Sequence, residues 1–146
     1  MSAVSMSTRQ ETIDLILDHY DNPRNYGPMQ DADVVATGRN PGCGDLVTVY
    51  LKVGPGEQTT AVSFEGKGCT ISQAAASITT DLVVGKTLGE LLEIDHQVVA
   101  DDLGSDVAGS RLRCATLALN TLKSAVARYQ AGDPPQTAAE APVENF

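Results

Sequence analysis

The chain is 146 residues long, with a formal net charge of −9, 42% hydrophobic and 20% charged residues. Those figures describe one domain of ordinary soluble composition, and the acidity argues against a nucleic-acid binder, which needs a basic face to displace counterions from phosphate. No apolar run approaches the ~18 residues of a membrane span and no secretory core follows the start, so the expectation is a cytoplasmic protein with no membrane partner.

With no tryptophan and two phenylalanines, the core must be built from Val, Leu, Ile and Ala. Three cysteines, Cys43, Cys69 and Cys114, cannot form a complete disulfide framework, and in a reducing compartment they point to metal or redox chemistry. As small buried hydrophobes they would sit inside periodic apolar segments. Instead they are flanked by glycines and charges.

In chain order, residues 1–7 carry no pattern and are expected to fray. Residues 8–20 read as a helix: Thr8 and Glu11 have capping-box spacing, and Ile13, Ile16, Leu17 and Tyr20 form a stripe. Asn22-Pro23-Arg24-Asn25 ends it. His19 is read as a surface or hydrogen-bonded histidine rather than a ligand. Residues 33–37 read as a short edge strand. After the turn Asn40-Pro41-Gly42-Cys43-Gly44-Asp45, residues 46–53 alternate strongly, with Val47, Val49, Leu51 and Val53 facing one way. Residues 60–65 form the return strand of an antiparallel hairpin with a loop of about five residues. That pairing brings Cys43 and Cys69 to one edge, although 26 positions separate them.

Beyond Cys69 the period becomes helical, through Ile71, Ala74, Ala75, Ile78, Leu82 and Val83. A second short helix is expected over 87–94, with His96 on the surface beyond it. Residues 105–110 read as a loop. Leu112, Ala115, Leu119, Leu122, Val126 and Tyr129 then mark a long amphipathic helix. Cys69 and Cys114 would each occupy the first turn of a helix, where the dipole favours a thiolate. The proline-rich residues 132–146 read as a disordered tail, leaving one domain over 1–131.

Three thiols and the carboxylate of Asp45 make a four-ligand set fit for zinc or an iron–sulfur cluster. Asp45 alone could simply shape an Asx turn. As a ligand it is harder and weaker than the thiolates, so the site can open for exchange. Lys67 precedes Cys69, and Arg111 and Arg113 precede Cys114. These cations could depress the thiol pKa values or meet an acidic partner. A merely solvated charge at a helix entrance is the plainer role, but arginines there would oppose the dipole, which disfavours it for Arg111 and Arg113 and suggests another purpose.

Four segments together resemble the iron–sulfur cluster assembly U-type family, which comprises IscU, SufU and the NifU N-terminal domain. They are Leu17-Asp18-His19-Tyr20 with Asn22-Pro23-Arg24-Asn25, then Asn40 to Asp45, then Gly66-Lys67-Gly68-Cys69-Thr70-Ile71-Ser72, and Arg111-Leu112-Arg113-Cys114-Ala115-Thr116-Leu117. The resemblance implies an α+β fold with a small antiparallel sheet of about three strands, helices on one face and a long C-terminal helix. It also implies a pyridoxal-phosphate cysteine desulfurase as partner, SufS-like if the branch is SufU, and a downstream iron–sulfur carrier or apo-protein. Arg113 stands where the IscU branch has a histidine, and the Leu-Pro-Pro-Val-Lys segment of bacterial IscU proteins is missing, so the motif lies closest to SufU. That branch implies zinc on Cys43, Asp45, Cys69 and Cys114, with Cys43 as sulfur acceptor and Asp45 as labile ligand. The 44 residues between Cys69 and Cys114 match the IscU length instead, without the insertion of many SufU proteins.

Sulfur transfer, scaffolding of a transient [2Fe-2S] cluster, and a structural or regulatory zinc module are the competing functions. A zinc hydrolase is the weakest, since four protein ligands leave no open position for water.

Overall fold

The computed structural model describes residues 9–41, 44–103, 105–132 and 143–146; the side chains of Arg9 and of residues 100–113 lie outside that description. Helix α1 (Arg9–Asp21) precedes strands β1 (Val34–Asn40), β2 (Asp45–Gly54) and β3 (Gln58–Lys67), with a 3-10 turn, Pro55–Glu57, between the last two. Helices α2 (Thr70–Val83), α3 (Leu88–Leu92), α4 (His96–Leu103) and α5 (Ser105–Gln130) follow, and a final strand β4 (Val143–Asn145) returns to the sheet. The strand order is β3-β2-β1-β4. β1 and β3 run antiparallel to β2, and β4 runs parallel to β1.

The alternation of β2 is carried into three dimensions. Val47, Val49 and Leu51 join Val34, Ala36, Val62 and Phe64 on the face that meets Ala76, Val83, Leu117, Leu122 and Val126 of the helices. On the opposite face, Tyr50 and Val35 pack with Met29 and Ala32. Fully burying a side chain the size of Phe64 or Leu51 stabilises the fold by about 1.5–3 kcal/mol, so this layer supplies much of the driving force. The α+β class with helices on one face is as expected.

Several details differ from the sequence reading. β4 lies inside the segment read as a disordered tail, so the sheet has four strands and β1 is interior rather than at an edge. The stripe of α1 is rotated: Ile16 and His19 are buried, whereas Leu17 and Tyr20 are 46% and 45% exposed. Finally, α5 begins at Ser105, taking in the residues read as a loop.

The β3 edge of the sheet is covered, as edge strands in stable folds generally are. Along β3, Phe64 N–H donates to the Asn25 carbonyl and Gly27 N–H donates to the Phe64 carbonyl, both at 2.9 Å. The Tyr26 ring meets Phe64 edge-on at 5.2 Å. β4 covers β1.

α2 is buried nearly all round from Ala74 to Thr80, because small residues let it lie close between the sheet, α1 and α5. A second apolar cluster, of Ile16, Ala74, Ala75, Ile78, Val99, Ala115 and Leu119, joins α1, α2, α4 and α5. α1 is fixed to α2 by a polar contact as well. His19 Nδ1 lies 2.7 Å from Ser77 Oγ, which also accepts the Arg24 backbone N–H at 2.8 Å. His19 is thus the hydrogen-bonded histidine of the two expected alternatives. His96 is half-buried rather than on the surface, with Nε2 against Asn120 Oδ1.

Candidate metal centre

The three described candidate ligands, Asp45, Cys69 and Cys114, come from three different elements. Asp45 opens β2, and its Cα partner across the sheet is Asn40, the last residue of β1. The connection between them is residues 41–44, closed by Gly44 N–H donating to the Asn40 carbonyl at 2.9 Å. Cys43 belongs to that connection and lies outside the described residues. Cys69 is the N-cap of α2, with extended backbone, as the predicted helix entrance requires. Cys114 is buried in α5, well inside the helix rather than in its first turn. The dipole argument therefore holds for Cys69 and fails for Cys114. For the same reason Arg111 and Arg113 belong to the body of α5 and do not oppose an N-terminus; their side chains lie outside the description.

The ligand atoms of Asp45, Cys69 and Cys114 all lie within 4.8 Å of one another. Donors around a tetrahedral zinc with bonds near 2.3 Å are separated by about 3.8 Å, so a contraction of about an ångström would seat the ion. The donor set, two soft thiols and a carboxylate, suits zinc or iron. The surroundings are shaped for it too. Asp45 is buried, at 1% exposure, and its Oδ1 accepts the Cys69 backbone N–H at 3.1 Å. A Cβ on Gly68 would stand 2.4 Å from Asp45 Oδ1 and 2.4 Å from Ser72 Oγ. Only a residue without a side chain leaves room for the carboxylate beside Cys69.

Burial pushes the Cys69 thiol up, and the Asp45 charge adds to it. The Ser72 backbone N–H and hydroxyl, with the Ile71 N–H, outweigh both and bring the thiol below its ordinary value. Ser72 Oγ stands 3.8 Å from Cys69 Sγ. The sequence reading gave Ser72 no role. Its signal was a hydroxyl three residues after a helix-opening cysteine, within reach of the thiol.

Lys67 ends β3 and is exposed. It borders an open groove of about 480 Å³ beside the site, shared with Tyr20, Pro23, Tyr26, Gly68 and Gln73. Among the described residues, the group that could hold a metal does not include it.

Residues 11–134 match the NifU-like N-terminal domain. The chain belongs to that family. It is 39% identical over 116 residues to the iron–sulfur cluster assembly scaffold protein IscU 1 of Archaeoglobus fulgidus, covering 80% of this chain and 74% of that protein. It is 34% identical over 136 residues to the zinc-dependent sulfurtransferase SufU of Bacillus subtilis, covering 82% of this chain and 91% of that protein. Among solved structures, a protein of Fervidobacterium islandicum described as a candidate scaffold for the SUF system superposes with a TM-score of 0.66 at 27% identity, over 86% of this chain and 99% of that one. A U-type member is what the four motif segments implied. No described helix is long and apolar enough to cross a membrane.

Proposed function

We propose that this protein is an iron–sulfur cluster assembly protein that takes sulfur from a pyridoxal-phosphate cysteine desulfurase onto a thiol of the Cys43, Asp45, Cys69 and Cys114 site. The observation that carries the reading is the approach of Asp45, Cys69 and Cys114 to within 4.8 Å. Both the scaffold and the sulfurtransferase relatives are compatible with it.

The four residues would hold zinc, which supplies a Lewis-acid centre that keeps thiols deprotonated at neutral pH. In the transfer step the Cys43 thiolate attacks the terminal sulfur of the desulfurase persulfide. A new S–S bond forms at Cys43, the old one breaks, and the desulfurase cysteine leaves as a thiolate. The chain's own residues prepare this. The Asp45 carboxylate, tied to the Cys69 N–H, holds the base of the connection containing Cys43. Ser72 and the first turn of α2 favour negative charge at Cys69.

A second reading, scaffolding of a [2Fe-2S] cluster as cargo on the same ligands, draws support from the IscU relative and from the IscU-like spacing of Cys69 and Cys114. Two assays on protein purified without added metal separate the readings. Zinc content together with faster desulfurase turnover and a +32 Da adduct on Cys43 (one sulfur atom) supports transfer. A stable visible chromophore after anaerobic reconstitution, passed on to an apo-protein, supports scaffolding. Bound zinc with neither activity would leave a structural zinc module and overturn both.

A further inference from the structure

The last four residues hold at once a strand that leads to the site, β1, and a helix that carries a candidate ligand, α5. Along β1 the Cα partners are Thr37 with Val143, Gly38 with Glu144, and Arg39 with Asn145. Phe146 N–H donates to the Arg39 carbonyl at 2.9 Å, and Arg39 Nε donates to Asn145 Oδ1 at 3.2 Å. On the other side, Ser124 of α5 donates its hydroxyl proton to the Glu144 carboxylate at 2.5 Å. The Phe146 ring packs against the main core. It seats over Gly38, where a Cβ would stand 2.0 Å from Thr121 Oγ1 on α5 and 3.1 Å from the ring. Residues 143–146 therefore tie β1 to α5 through main chain, hydroxyl, amide and ring.

Both tied elements lead to the metal centre. Arg39 is the residue before Asn40, the cross-strand partner of Asp45, and β1 continues into the connection that contains Cys43. α5 carries Cys114, about 10 Å along the helix axis from Thr121 and about 15 Å from Ser124. We propose that the C-terminal segment 143–146 is a positioning clasp that sets the spacing between the Asp45 hairpin and the Cys114 helix, and thereby how long the centre retains its ion. A three-residue parallel pairing opens at far lower cost than the fold as a whole. The clasp can therefore release while the core stays closed. With β4 released, β1 becomes an open sheet edge and loses the contacts adjoining the ligand turn. The proposal rests on the metal reading above for its consequence, though not for the geometry of the clasp.

The test compares the full chain with a chain ending at residue 142 and with the single variants Glu144→Ala and Phe146→Ala. Two rates are read: transfer of bound zinc to a chromogenic chelator, and, in metal-free protein, maleimide labelling of Cys114 relative to Cys69 by mass spectrometry. The shortened chain is expected to release zinc roughly tenfold faster, the scale at which groups supporting metal ligands act. Its buried Cys114 should label faster relative to Cys69. Phe146→Ala and Glu144→Ala should shift both rates the same way by less, and they carry the comparison if the shortened chain does not fold. Unchanged zinc release and unchanged labelling, in protein whose β1 amides exchange faster than in the full chain, would overturn the clasp. If the full chain takes up no zinc, the functional reading fails separately and the labelling ratio alone decides the clasp.

Discussion

Asp45 Oδ1 accepts the backbone N–H of Cys69 at 3.1 Å, so one candidate ligand is hydrogen-bonded to the main chain of another across 24 positions of sequence. The carboxylate thereby does two jobs: it satisfies an amide at the entrance of α2, and it stands among the thiols. Substitution separates them. Asp45→Asn keeps an acceptor for the amide and removes the charge. Asp45→Ala removes both. Both variants should bind zinc about 10–100-fold more weakly, read by competition with a chelator. Asp45→Ala should in addition lose about 1 kcal/mol of stability in urea titration. Equal stability of the two metal-free variants would mean that the hydrogen bond contributes nothing.

Gly68→Ala tests the space beside the carboxylate. The new methyl would sit 2.4 Å from Asp45 Oδ1 and from Ser72 Oγ, so Asp45 or the entrance of α2 must move. The expected result is a loss of about 1–3 kcal/mol together with weakened zinc binding. Wild-type affinity in this variant would show that Asp45 is not held where the ion needs it.

His19 makes stability depend on pH. Burial, with help from the Arg24 cation, holds its imidazole below the ordinary 6.5, and Asp81 and Asp18 pull weakly the other way. The folded state thus keeps the neutral ring, and the unfolded chain binds more protons between the two pKa values. The His19 contribution is complete above pH 6.5 and is lost as the pH falls below that value toward the folded pKa. Ser77→Ala, which strips the hydroxyl shared by His19 and the Arg24 amide, should cost about 1–3 kcal/mol at pH 7.5. Urea titrations at pH 7.5 and 5.5 on both proteins check the prediction; a wild-type stability identical at the two values would refute it.

Removing metal should lower the melting temperature, because an ion bound only by the folded state adds about 3–4 kcal/mol at 100–1,000 times its dissociation constant. Scanning calorimetry of zinc-loaded protein with and without chelator measures it. The effect should vanish in Cys69→Ser if that thiol is a ligand.

The parts of this architecture that were legible in the sequence are those whose signal is local. The alternation of Val47, Val49 and Leu51 needs only the pleat to become a buried face. Cys69 follows a glycine and precedes a helical stripe, so its place at a helix entrance could be read directly. α5 was misjudged at its start because Ser105, Gly109 and Ser110 disfavour helix individually, whereas extension from an established helix costs little per residue. Cys114 therefore sits deep in a helix although its neighbours read as an entrance. β4 carries no period of its own: three residues after a proline become a strand because β1 offers an edge and Gly38 leaves room for Phe146. Leu17 and Tyr20 looked like core by spacing. His19 took the inward position instead because Ser77 on α2 supplied its hydrogen bond.

Asp45, Cys69 and Cys114 come from β2, the cap of α2 and the interior of α5, and neither the hairpin nor either helix by itself offers an ion more than one of the three donors. A polypeptide still emerging from the ribosome, or one unravelled by stress, therefore presents isolated side chains that compete poorly for scarce iron or zinc. On the proposed reading, an ion would meet these three donors together only after α5 has docked, so possession of the ion would double as a certificate that the chain has matured.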